Sequence, residues 1–270
     1  MTLASYKQLI ALGFSGLLLA SCSTEVPENS AESDSISEEI QSQETSNEES
    51  IGSEESSVSE ELESEEIESE SQNSTDDIRS QFEMEDEYVL LPRYFPGFTT
   101  PTGVDIISNN PDIYDVVYRN EDGNQQIEVL SRIYDSQDGA LQNIEEVING
   151  SVAVPENEES AYDLGYGITG YGEAGAGNFY FGWEEGNWTF TIHSHLQDDW
   201  DVHGIATRMV EYLEENYLPA PSQRGTMYID YPEKDRDPEV HVLWNVDNRV
   251  YEVSTVSTPI EAMDSIISME

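Results

Sequence analysis

Among the 270 residues there is one cysteine, only ten lysines and arginines, and no apolar run of membrane-spanning length. A lone Cys excludes a disulfide within the monomer and any thiolate cluster for zinc. Ten basic side chains stand against 57 acidic ones, a formal net charge of −47. Phosphate contact requires a basic surface, so nucleic acid is excluded as a partner. Lysine is the scarcer of the two basic types, confined to Lys7 and Lys234. The best apolar stretch, Leu9 to Ala20, is 12 residues long, against roughly 20 for a spanning helix. Catalytic signatures are missing too. There is no H-E-x-x-H, no G-x-S-x-G and no cysteine nucleophile apart from Cys22, and no cofactor motif survives inspection.

What is present begins with an export pattern. Residues 1–21 run from a short head with Lys7 through the apolar stretch to small residues, as a cleaved signal peptide does. Leu19-Ala20-Ser21-Cys22 then places the only cysteine at the cleavage position. This resembles the lipobox of bacterial lipoproteins, which reads aliphatic, small, small, Cys. The resemblance covers the first 22 residues and implies that Cys22 carries a diacylglyceryl group and becomes the first residue of the mature protein. Two acyl chains on one residue give stable attachment, whereas a single chain is marginal at about 0.8 kcal/mol per buried CH₂. The implied location is a cell membrane, lipid-anchored on its extracytoplasmic face.

Residues 22–85 change character. Positions 23–80 hold 20 acidic residues and 17 serines, with Arg79 the sole basic residue and no aromatic. Such a segment buries too little apolar surface to offset chain entropy, which predicts a disordered tether. As a coil it would span about 40 Å, and charge repulsion would push it toward a contour of about 190 Å.

Residues 86–270 are the expected globular domain, with 35 acidic and 8 basic side chains and therefore a net charge of −27. A pattern recurs three times around the aromatic anchors Tyr118, Trp183 and Trp244. Each is followed by an acidic Asn/Gly turn, an alternating strand and a stretch of helical periodicity. The helical positions are Leu141, Ile144 and Ile148, then Val202, Ile205, Ala206, Met209 and Leu213, then Ile260, Met263 and Ile267. Thr258-Pro259-Ile260-Glu261 marks the last start as a capping box with proline at the first helical position. Hairpins followed by helices predict an α+β fold. Its antiparallel sheet would carry helices packed on one face, built from about three strand-strand-helix units. This layout resembles the uncharacterised globular domains that end stalked bacterial lipoproteins.

Candidate chemistry is sparse. Gly165 to Gly170 and Gly170 to Gly175 both fit G-x-G-x-x-G, yet a strand follows where phosphate binding needs a helix. In the same stretch Tyr162, Tyr166 and Tyr171 alternate with glycines. Exposed rings beside open backbone would form a platform for a wall glycan or another envelope protein, and packed rings a twisted hairpin. His193 and His195 point the same way on a strand, with His203 close behind, so three imidazoles would offer a metal site if they converge. Thr189 and Thr191 on that strand mark the same face as solvent-facing, and Asp199 or Asp201 is needed as a helix cap. Asp235, Asp237 and Glu239 hint at calcium, with no turn glycine. The expected function is a non-catalytic binding domain displayed at a membrane. The alternatives are an envelope hydrolase using acidic residues and an extracytoplasmic metal-binding protein.

Overall fold

Every second residue of a strand faces the same way, and here that alternation sorts aromatic side chains to one side of a single sheet and hydroxyl and charged ones to the other. The computed structural model describes residues 77–95, 97, 101–148, 154–232 and 236–270. Residues 1–21, Cys22, most of the acidic segment and Asp235 lie outside the described residues.

The strands are β1 (Gly103–Asn110), β2 (Ile113–Arg119), β3 (Gln125–Ile133), β4 (Ala161–Gly165), β5 (Ile168–Gly175), β6 (Asn178–Glu185), β7 (Trp188–His195), β8 (Gly225–Tyr231), β9 (Glu239–Val246) and β10 (Arg249–Val256). Three helices punctuate them: α1 (Gln137–Ile148), α2 (Val202–Leu213) and α3 (Pro259–Ile267). The ten strands form one open sheet in the order β1-β2-β3-β10-β9-β8-β7-β6-β5-β4. Every neighbouring pair is antiparallel except β7 and β8. Parallel neighbours cannot be joined by a tight turn, and α2 supplies the crossover. The chain leaves the middle of the sheet after β3, passes through α1 and re-enters at the far edge with β4.

Each helix is thus preceded by a meander, of three strands before α1 and α3 and of four before α2. The expected two-strand units undercount because β1, β4, β5 and β8 lack an aromatic anchor followed by an acidic turn.

The aromatic face carries Tyr114, Val116 and Tyr118 from β2, Ile127 and Val129 from β3, Phe181 and Trp183 from β6, Trp188, Phe190 and Ile192 from β7, and Trp244 from β9, all buried. Trp183 stacks on Phe190 at 4.9 Å and Trp244 on Tyr251 at 5.2 Å between ring centroids. Glycines make room for these rings. A Cβ on Gly170 would sit 2.3 Å from Phe181, and one on Gly225 would sit 2.5 Å from Trp188. The glycine-rich β5 therefore serves as a bed for the phenylalanines of β6.

Helices α2 and α3 cover this face. Val202, Ile205, Ala206, Met209 and Leu213 are buried as the periodicity predicts, and Asp201 caps the start by accepting from the Gly204 amide at 3.1 Å. The capping box of α3 is complete, with Thr258 and Glu261 bonded reciprocally. Its buried side, however, is Ala262, Met263 and Ile266, while Ile260 and Ile267 stay half-buried. Tyr212 donates to Asp264 and so ties α2 to α3.

The third cover is a strap from the N-terminal side. Ile78, Phe82, Met84, Val89, Leu91 and Phe95 are buried against the aromatic face, and Phe82 packs on Tyr114 at 5.0 Å. Leu91 and Glu270 exchange backbone hydrogen bonds, and Ser268 Oγ accepts from the Arg93 and Tyr94 amides. The folded part therefore begins before the expected boundary at residue 86. Three apolar side chains spaced along 77–85 are enough to hold that acidic stretch down.

Helices were expected on one face only, and α1 departs from this. Its Ala140 and Ile144 pack on Leu243 and Val250, which point away from the aromatic core. With only a short apolar stripe, α1 covers the β9–β10 end of the polar face and leaves the rest free of helices.

Candidate functional site

The polar face is built by the residues between the aromatic ones. Across β5, β6 and β7 the ladder sets Tyr171 opposite Gly182 and Gly182 opposite Thr191. Glu184 stands opposite Thr189 one step along. Because Gly182 has no side chain, Val154 comes down over it, close enough that a Cβ there would meet Val154 Cβ at 3.2 Å. The result is a recess of about 290 Å³ lined by Val154, Glu156, Thr169, Tyr171, Glu184 and Thr191, among others.

Thr191 is the informative side chain. It is 4% exposed and lines the recess. A hydroxyl at the wall of a recess can both donate to and accept from a ligand there. Glu156 and Glu184 are exposed at the recess, and no Lys or Arg among the described residues lines it. Its electrostatics thus disfavour phosphate, sulfate or uronic acid and suit neutral or amine-bearing polyols.

Farther along the same face lies a histidine row. His193 Nδ1 bonds Asp230 Oδ1 at 2.6 Å and its Nε2 bonds Asn178 Oδ1 at 3.0 Å. His195 Nδ1 reaches the same Asn178 oxygen at 3.0 Å. Tyr180 stacks on His193 with 4.6 Å between centroids. Both nitrogens of His193 are engaged, which leaves no lone pair open to an ion.

The structure brings His193 and His195 together, 5.5 Å apart, and separates His203 from them. His203 projects from α2 on the aromatic side, packed on Tyr162 at 4.5 Å and against Phe181 at 4.9 Å. The expected convergence of three imidazoles does not occur, because the sheet lies between them. No group of three or more His, Cys, Asp or Glu side chains is placed to hold a metal among the described residues.

The tyrosines divide similarly. Tyr162 lies on the aromatic side with His203, Tyr166 is 64% exposed at the β4–β5 turn, and only Tyr171 lines the recess. They form no common platform, since strand alternation and the turn send them to three places. The double G-x-G-x-x-G resolves into the β4–β5 hairpin, whose turn residues Tyr166 and Gly167 both have positive φ (55° and 84°). Thr169, Thr191, Glu156 and Glu184 were not singled out by sequence. The alternating threonines of β7 gave the face, and nothing local gave the partner strands.

No protein-family model matches this chain, and neither a curated protein nor a solved structure matches it.

Proposed function

We propose that the chain is a bacterial lipoprotein, held by a lipidated Cys22 on the extracytoplasmic face of a membrane. In this reading its acidic segment displays a non-catalytic binding domain whose polar sheet face takes a cell-wall glycan. The observation that carries the ligand reading is the recess beneath Val154, which Thr169, Thr189, Thr191 and the ring of Tyr171 line together. Sugar rings need such a mixture of hydrogen-bonding groups and a flat apolar surface. Support for the anchor is the sequence Leu19-Ala20-Ser21-Cys22. No helix among the described residues is long and apolar enough to cross a membrane.

The finer plan of the domain reads as three variations on a hairpin and helix. Tyr118, Trp183 and Trp244 are buried on the same face just ahead of their turns, which supports a common unit. The reversal of α1 marks where the units diverge.

Calorimetry of the full chain with N-acetylglucosamine and glucosamine oligomers tests the ligand. Saturable binding is expected, weakened at least tenfold in Thr191→Val at unchanged melting temperature. Binding of neither oligomer, or equal binding by the variant, defeats the reading. Loss of radiolabelled palmitate incorporation in Cys22→Ala tests the anchor, and unchanged labelling would remove it.

The hydrolase reading retains one observation in its favour, two carboxylates, Glu156 and Glu184, at one recess. Release of reducing ends that vanishes in Glu184→Gln would establish it in place of simple binding.

A further inference from the structure

A second cavity, of about 120 Å³, opens where β6 and β7 run out beside the C-terminal end of α2. Its walls are Trp188, Phe190, Leu213, Tyr217 and Leu218, and Glu185 is its one acidic group. Glu185 closes β6 on the aromatic face, so strand alternation aims a carboxylate into carbon. One of its oxygens, Oε2, is buried without a hydrogen-bond partner. Burial, and after it the neighbouring carboxylate of Glu214, raises the Glu185 carboxyl above its ordinary value, and among the described residues no basic side chain opposes the shift. The polar groups nearby are committed elsewhere: Trp188 Nε1 donates to Pro219 O at 3.2 Å and Asn216 Nδ2 to Tyr212 O at 3.0 Å. Tyr217, 78% exposed, stands at the mouth.

An unpaired carboxylate among aromatic and aliphatic walls is costly, and the missing complement is a cation. A metal ion or a primary ammonium brings tightly held water that these walls cannot replace. A cation covered with methyl groups is weakly hydrated and gains from ring faces as well as from the carboxylate. We propose that this cavity binds a quaternary ammonium group, with Glu185 as its counter-ion and Trp188 and Tyr217 as its aromatic walls. The site lies on the opposite side of the sheet from the Thr191 recess and stands independently of the glycan reading.

The test titrates the full chain with choline chloride, with its neutral isostere 3,3-dimethylbutan-1-ol, and with potassium chloride at matched ionic strength. Calorimetry reads binding, and the tryptophan fluorescence change is followed in parallel. Choline should saturate one site and bind at least tenfold more tightly than the neutral isostere. Glu185→Gln should weaken choline at least tenfold while melting no lower than the parent, since it removes an unpaired acid. Tyr217→Ala, at an exposed position that leaves folding intact, should weaken it at least threefold. Thr191→Val should leave choline binding unchanged, which separates this site from the glycan recess. Equal binding of the neutral isostere, a response reproduced by potassium chloride, or choline affinity indifferent to both Glu185→Gln and Tyr217→Ala would each overturn the proposal.

Discussion

The two faces of the sheet use the same strands to opposite ends. On the aromatic side, Phe181 and Phe190 belong to one buried cluster that also takes in residues of α2, α3 and the N-terminal strap. On the polar side, Gly182, Thr191 and His193 alternate with those same phenylalanines, and among the described residues the only helix there is α1, over β9 and β10. Stability is therefore concentrated on one face, and the other is free to carry groups that folding does not require. Thr191 makes the point: it lines the recess on a strand whose opposite side, at Phe190 and Ile192, is buried.

The largest expected effect falls on the aromatic side. Phe181→Ala removes a fully buried ring and should cost about 3–5 kcal/mol in urea denaturation. Tyr180→Ala, its chain neighbour on the polar side, loses a ring stacked on His193 and should cost less than half as much. Equal losses would break the contrast between the faces.

Alkali should also act through the aromatic side. Burial pushes the hydroxyls of Tyr231 and Tyr251 up to about 12 from the ordinary 10, with Arg208 and Arg249 respectively opposing the shift. The folded state then holds these protons more tightly than the unfolded chain. Their stabilisation is complete below pH 10 and is lost as pH rises through about 12. Urea midpoints measured from pH 9 to 12 should fall across that window, and less steeply in Tyr251→Phe. A flat profile would mean that these tyrosines are wet.

The smallest effects separate local from tertiary contributions. Thr258→Ala removes the side-chain oxygen that accepts from the Glu261 amide in the α3 capping box and should lower stability by about 1 kcal/mol. Thr191→Val should change stability by less than about 0.5 kcal/mol in either direction, since Thr191 lines the recess. A penalty of the cap's size at Thr191 would show that its hydroxyl serves the fold after all.

Short-range signals read correctly. The capping box at Thr258, the Asp201 cap, the buried stripe of α2 and the alternation Trp188, Thr189, Phe190, Thr191 are decided within a turn of helix or a few strand residues, by hydrogen bonds and period alone. The hairpin-then-helix order belongs to the same class. The pairing of His203 with Tyr162 was not legible, because α2 and β4 meet only after the chain has crossed the sheet.

Composition and local pattern thus determined an α+β chain of hairpins and helices with one greasy and one polar side per strand. Tertiary structure alone decided that β4 joins the far edge, that β7 and β8 run parallel, that α1 packs opposite to α2 and α3, and that Val154 descends over Gly182. Strand order and helix side depend on the summed burial of residues distant in the chain. No single window of sequence carries that sum, because each apolar stripe is satisfied by any complementary surface until the whole sheet closes the choice.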